Sequence, residues 1–137
     1  MSSAVICPSI LACDLSRLSD EVERCLRAGG DWVHVDIMDG HFVPNLTLGP
    51  PIVKCLRKNH PTAFLDCHCM VSHPAQWVED LADAGANQVT FHTEAVESDE
   101  SLGKLIQEIV SKGMKCGIAI RPKTRKNCIP NPIEIVL

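Results

Sequence analysis

Two hydrophobic rhythms take turns along this chain. Apolar runs with period-two or continuous patterning occupy 4–11 "AVICPSIL", 32–38 "WVHVDIM", 63–70 "AFLDCHCM", 88–92 "QVTFH" and 116–120 "CGIAI". Rich in β-branched and other apolar residues and bounded by turn chemistry, each predicts a strand. Between them the apolar spacing lengthens to that of a helix. In "DLSRLSDEVERCLRAGG" residues Leu15, Leu18, Val22, Cys25 and Leu26 share one face, Asp14 or Ser16 can cap the start, and Gly29–Gly30 stops the run. A further helix opens at "SHPAQW", where Pro74 suits a first turn, and closes at Ala84–Gly85. Another carries Leu102, Leu105, Ile106, Ile109 and Val110 on one face and ends at Lys112–Gly113.

Three times the chain runs helix, glycine, a short link, strand: "RAGGDWVHV", "DAGANQVTF" and "SKGMKCGIA". This repeated unit predicts parallel strands joined by helical crossovers. Two architectures use that rhythm, the doubly wound open sheet and the eight-stranded β/α barrel. A nucleotide-binding open sheet would carry a Gly-rich turn after its first strand, and here that turn is "LACDLS". Polar residues sit instead inside and at the C-terminal ends of 32–38 and 63–70, where a barrel keeps its chemistry. The expectation is an α/β fold, a TIM-type (β/α) barrel that is incomplete, with about five βα units and the start of a sixth strand in "IEIVL". Residues 1–137 read as a single partial-barrel domain.

Composition changes this picture little. At 137 residues, 45% hydrophobic and 22% charged, the chain has the make-up of one globular domain. A net charge of −4 and a single short basic cluster, "RPKTRKN" at 121–127, argue against nucleic-acid and anionic-membrane partners. The N-terminal "MSSAVICPSILACDL" lacks a charged leader and is broken by Pro8, and no run approaches membrane-span length. A cytoplasmic location is expected. The eight cysteines form no Cys-x-x-Cys pair, so most read as small buried hydrophobes in a reducing compartment. The sequon "NLT" at 45–47 reads as a chance match.

Alternation decides which side chains share a face. Along 32–38, His34, Asp36 and Met38 point one way while Val33, Val35 and Ile37 point the other. Along 63–70, Asp66, His68 and Met70 repeat the device, with Cys67 and Cys69 opposite. Adjacent parallel strands would then gather two histidines and up to two carboxylates, a donor set that suits Zn²⁺, Fe²⁺, Mn²⁺ or Co²⁺. A histidine on a strand is also often a hydrogen-bonded core residue, and methionines such as Met38 and Met70 are more often core filler than function, though soft flat walls suit a site that holds a planar intermediate. Among the other histidines, His60 and His73 sit at helix ends and are expected in solvent. His41 lies in a loop that can approach a ligand, and His92 ends a strand, where a pocket-lining and a structural role are equally open.

Taken together, "PSILACDL" at 8–15, "HVDIMDGHFVPNLTLGP" at 34–50, "DCHCMV" at 66–71, "ANQVTFHTE" at 86–94 and "GIAIRP" at 117–122 resemble the ribulose-phosphate 3-epimerases, in order and at the family's spacing. The resemblance covers residues 5 to about 122. It implies an isomerase of the pentose phosphate pathway that interconverts D-ribulose 5-phosphate and D-xylulose 5-phosphate on one divalent metal ion. His34, Asp36 and His68 match the family's metal ligands, and Asp36 is also one of its two proton-transfer carboxylates. Ser9 and His68 match substrate-contacting positions, with Met38 and Met70 as the walls of that site. A homodimer is left open.

The chain also departs from the pattern. The family's second aspartate lies in a later "VDGG"-like motif that does not occur before Leu137, and the later Gly-rich phosphate loops are absent as well. Lys123 stands where the family carries glycine, and 123–137 reads as a divergent C-terminal segment of the partial barrel. The expectation is that these 137 residues alone have negligible epimerase activity. Two alternatives stay beside it: a non-catalytic partial barrel acting through association with another polypeptide, and an epimerase for another ketose phosphate such as allulose 6-phosphate.

Overall fold

The alternation in "WVHVDIM" builds β1 (Trp32–Met38), the first of four parallel strands. A computed structural model describes residues 4–124. Across the sheet β1 is followed by β2 (Phe64–Met70), β3 (Gln88–His92) and β4 (Lys115–Ala119), in chain order. The helices that cross between strands are α2 (Pro50–Asn59), α3 (Val78–Ala84) and α4 (Asp99–Ser111), with α1 (Leu18–Arg27) ahead of β1. Strand after strand in parallel, each joined by a helix, is the layout of a partial β/α barrel. The residues of "IEIVL", expected to start a sixth strand, lie outside the described residues.

The segment 4–11, expected as a strand, is extended but is not one. Trp32 N donates to Ile6 O, His34 N to Pro8 O and Ile10 N to His34 O, which leaves one isolated bridge between Ser9 and His34. A parallel ladder would also need residue 8 to donate to Trp32 O, and Pro8 has no N–H to give. The described chain therefore has four strands where the sequence pattern suggests five.

Helix boundaries follow local chemistry. Asp14 accepts from Ser16 N and caps a 3₁₀ turn, Leu15–Arg17, that leads into α1. Pro74 opens a 3₁₀ turn, Pro74–Trp77, rather than an α-helix, and α3 follows it. Gly85 closes α3 at φ +89°, and a Cβ there would stand 2.8 Å from Arg57 Cγ. That tight approach lets the Arg57 guanidinium bond Gly85 O, Ala63 O and Asn87 Oδ1, tying the end of α2 to the turn before β3.

The core lies between the outer face of the sheet and the helices. Val33, Val35, Leu65, Cys67, Cys69, Val89, Phe91 and Ile118 from the strands pack with Val22, Val53, Leu56, Val78, Leu81, Leu102, Leu105 and Ile109 from the helices. Fully burying one such side chain is worth about 1.5–3 kcal/mol. In α4 the buried stripe is Leu102, Leu105 and Ile109, whereas Val110, expected on the same face, is 57% exposed. One residue past Ile109 turns about 100° around the helix, out of the stripe. His60 also differs from expectation. It is buried, its Nε2 3.0 Å from Ser19 Oγ, because the end of α2 packs against α1. Of the seven described cysteines, all free thiols, only Cys67 and Cys69 are fully buried, since these two alone point outward from a central strand.

Candidate metal and proton-transfer site

Strand register sets the inner face in rows. Trp32 faces Phe64; His34 faces Asp66, which faces Gln88; Asp36 faces His68, which faces Thr90; and Met38 faces Met70. The lowest row closes the inner face: the Trp32 and Phe64 rings stack at 4.0 Å and Lys115 Nζ lies over both.

The two rows above carry the chemistry. His34 Nε2 and His68 Nδ1 lie 3.3 Å apart, and Asp36 Oδ1 is 3.4 Å from each. The three atoms form a nearly equilateral triangle. Around a tetrahedral ion with bonds of about 2.0–2.1 Å, ligand atoms stand about 3.3–3.4 Å from one another. Two imidazoles and one carboxylate at that spacing fit a divalent cation by donor type and by geometry.

Each corner is held from behind. Asp36 Oδ2 accepts from Ser9 Oγ at 2.5 Å, and Thr47 Oγ1 donates to Asp36 O. His34 Nδ1 is 2.7 Å from Asp66 Oδ2, while Asp66 Oδ1 accepts from Gln88 Nε2 and Thr90 Oγ1. Thr90 in turn needs Gly117, because a Cβ at 117 would collide with its hydroxyl. Electrostatics match this wiring. Hydrogen bonds to Asp36, then Asp66 and Cys7, push His34 up to about 11. Burial works to raise Asp36, but His34, His68 and Ser9 outweigh it and hold the carboxylate well below its ordinary range. The pocket thus favours a positive charge at its centre.

Every site residue expected from the sequence lies on or beside this inner face. His34, Asp36 and His68 meet at the triangle, and Ser9 reaches it from the extended N-terminal segment. Met38 and Met70, both half-buried, pair in register one row nearer the strand C-termini. His41 and His73 are exposed. His92 reaches the site, its Nε2 2.9 Å from His68 Nε2. Burial, then the neighbouring His68, lowers the pKa of His92 below that of an ordinary histidine. Gln88 and Thr90 were not anticipated, although "QVTFH" places Gln88, Thr90 and His92 at alternate positions as the other strands do. A second three-donor group, Cys7, His34 and Asp66, shares His34 on its Nδ1 side.

A parallel β/α sheet that turns two imidazoles and a carboxylate to its inner face defines a β/α-barrel protein able to hold a divalent metal. The chain belongs to the Ribulose-phosphate 3 epimerase family, whose sequence model matches residues 5–136. It is 49% identical over 142 residues to the ribulose-phosphate 3-epimerase, cytoplasmic isoform, of Oryza sativa subsp. japonica, covering 99% of this chain and 61% of that protein. It is 48% identical to the ribulose-phosphate 3-epimerase of Schizosaccharomyces pombe, over 100% of this chain and 57% of the relative. The chain therefore spans a little over half the length of these relatives. Among solved structures, a Yersinia pestis DHPS superposes with a TM-score of 0.61 at 13% identity, over 88% of this chain and 45% of that one, a likeness of fold alone.

Proposed function

We propose that these residues form part of the active site of a ribulose-phosphate 3-epimerase that moves the C3 hydrogen of a ketopentose 5-phosphate, interconverting D-ribulose 5-phosphate and D-xylulose 5-phosphate. The observation that carries the reading is the His34–Asp36–His68 triangle in a chain of this family. His34 Nε2, His68 Nδ1 and Asp36 Oδ1 would hold Zn²⁺, Fe²⁺, Mn²⁺ or Co²⁺. Such a cation would supply electrostatic stabilisation for negative charge developing at the C2 oxygen.

Asp36 is the proton carrier in this reading. It is ionised and aimed by Ser9, so it can take the C3 proton and return it, a role worth about 10²–10⁴-fold. Ser9, itself exposed, also stands where a substrate hydroxyl can reach it. Met38 and Met70 offer apolar, polarizable walls that keep water from the reacting carbon. Asp66 is the other carboxylate of the cluster, and its bonds to His34, Gln88 and Thr90 leave it no freedom to carry protons. Among the described residues Asp36 thus serves one face of the substrate, and inversion needs an acid/base group on the other. By its likeness to the rice cytoplasmic isoform, we place the protein in the cytoplasm.

The test is hydrogen exchange. In D₂O with Mn²⁺ and D-ribulose 5-phosphate, deuterium enters C3 in the presence of the chain, and Asp36→Asn slows this at least about 100-fold. Exchange that ignores Asp36→Asn would remove Asp36 from the reaction and with it this reading.

A further inference from the structure

His92 and His68 touch through the same ring atom, Nε2 to Nε2 at 2.9 Å, with ring centroids 5.0 Å apart. Two imidazole nitrogens at that distance share one proton, so one ring donates and the other accepts. Which one donates is settled on the far side of His92. Its Nδ1 is buried, has no hydrogen-bond partner within bonding distance among the described residues, and faces Glu94 Oε2 at 3.5 Å. Glu94 is anchored by its other oxygen, which accepts from Arg121 N and Thr124 Oγ1. A bare Nδ1 would turn a lone pair toward that carboxylate, whereas an Nδ1–H is attracted to it.

We propose that Glu94 and His92 form a tautomer relay that positions His68: His92 carries its proton on Nδ1, accepts at Nε2 from His68 Nε2–H, and so keeps the His68 Nδ1 lone pair turned toward Asp36 and His34. The inference deepens the metal reading of His34, Asp36 and His68 and rests on it. Each histidine of the triangle then has a dedicated partner behind it, a carboxylate for His34 and an imidazole for His68. Such outer partners fix which nitrogen is free to bind and are commonly worth about 10–100-fold in metal affinity. Phe42 keeps the relay in place, its ring 5.1 Å from that of His92, and Arg121 covers Phe42 in turn.

The test has two arms. Nitrogen-15 spectra of the histidine rings in the full chain, without metal and then with Zn²⁺, should show His92 protonated at Nδ1 and bare at Nε2, with His68 protonated at Nε2. Glu94→Gln, whose amide can turn either atom to His92, should give a mixture of His92 tautomers. In Co²⁺ titrations against a competing chelator, His92→Phe, which keeps a ring in place, should weaken binding about 10–100-fold. His92→Gln, which offers His68 an amide oxygen, should restore most of it. A His92 protonated at Nε2, or a folded His92→Phe chain that binds Co²⁺ like its parent, overturns the relay. Failure of the underlying reading looks different: Co²⁺ affinity would survive Asp36→Ala and His68→Ala, and the ring spectra would still decide the relay on their own.

Discussion

The same strands present two faces with opposite economies. On the outer face of β1, β2 and β3, Val33, Val35, Leu65, Cys67, Cys69, Val89 and Phe91 are at most 1% exposed and belong to the apolar core. One residue along, on the inner face, His34, Asp36, Asp66, His68, Gln88, Thr90 and His92 bond one another in a continuous polar network. The outer face gains stability from area removed from water, which tolerates apolar side chains of the right volume. The inner face gains little from area and depends on atoms being held at fixed separations. Stability and chemistry are therefore separable by parity: odd positions of β1 and β2 for one, even positions for the other.

Variants on the two faces should dissociate. The largest stability effect belongs outside: Phe91→Ala should cost about 3–5 kcal/mol in denaturant unfolding while cation affinity in the folded protein stays at the parent value. A metal affinity that falls with it would show that the two faces are coupled. Gly117→Ala is the informative exception. It stands on the inner face yet acts through volume, pushing Thr90 off Asp66 and so loosening His34; about 1–3 kcal/mol of stability and part of the metal affinity should go together.

A smaller effect is expected at the mouth of the inner face. Asp39 accepts from His41 N and Phe42 N with one oxygen and from Ser72 N with the other, joining the loops after β1 and β2. Its slight burial raises its pKa, but these three backbone donors outweigh that and hold it well below the ordinary carboxylate value. A depressed carboxylate contributes stability above its unfolded pKa of about 3.9 and loses it as pH falls from there toward the folded value. Asp39→Asn should thus melt below the parent at neutral pH, with the gap closing in melts below about pH 4. The smallest change is expected from Cys7→Ser. If the ion uses the Nε2 side of His34, this substitution on the Nδ1 side leaves Zn²⁺ affinity within a few-fold of the parent; a large loss would move the cation to Cys7, His34 and Asp66.

What could be read in advance follows the same division. Period-two alternation is local, so the composition of the faces of β1 and β2 was legible from "WVHVDIM" and "FLDCHCM", and glycines marked the helix ends where Gly85 and Gly113 take positive φ. Features set by distant partners were not. Pro8 reads as part of a strand until the ladder it must join is known, and His60 reads as solvated until α1 packs over it. Arg57 looks like any helix-end cation in sequence, yet it bonds carbonyls from two separate links, those before β2 and before β3. The outward cysteines of β2 were visible by parity; the half-buried Cys7, Cys13, Cys25 and Cys116 depended on packing against distant segments. His92 was ambiguous for the same reason, because a contact with His68, one row away on the neighbouring strand, has no local signature.

The claim at the centre of this account is that the inner face holds one divalent cation at His34, Asp36 and His68. Calorimetric titration of the folded chain with Zn²⁺ tests it most directly. The account predicts one ion per chain, binding that is lost in Asp36→Ala and His68→Ala with far-ultraviolet dichroism unchanged, and binding that is intact in Phe91→Ala. Equal affinity in parent and Asp36→Ala, or no binding in the parent, would contradict it.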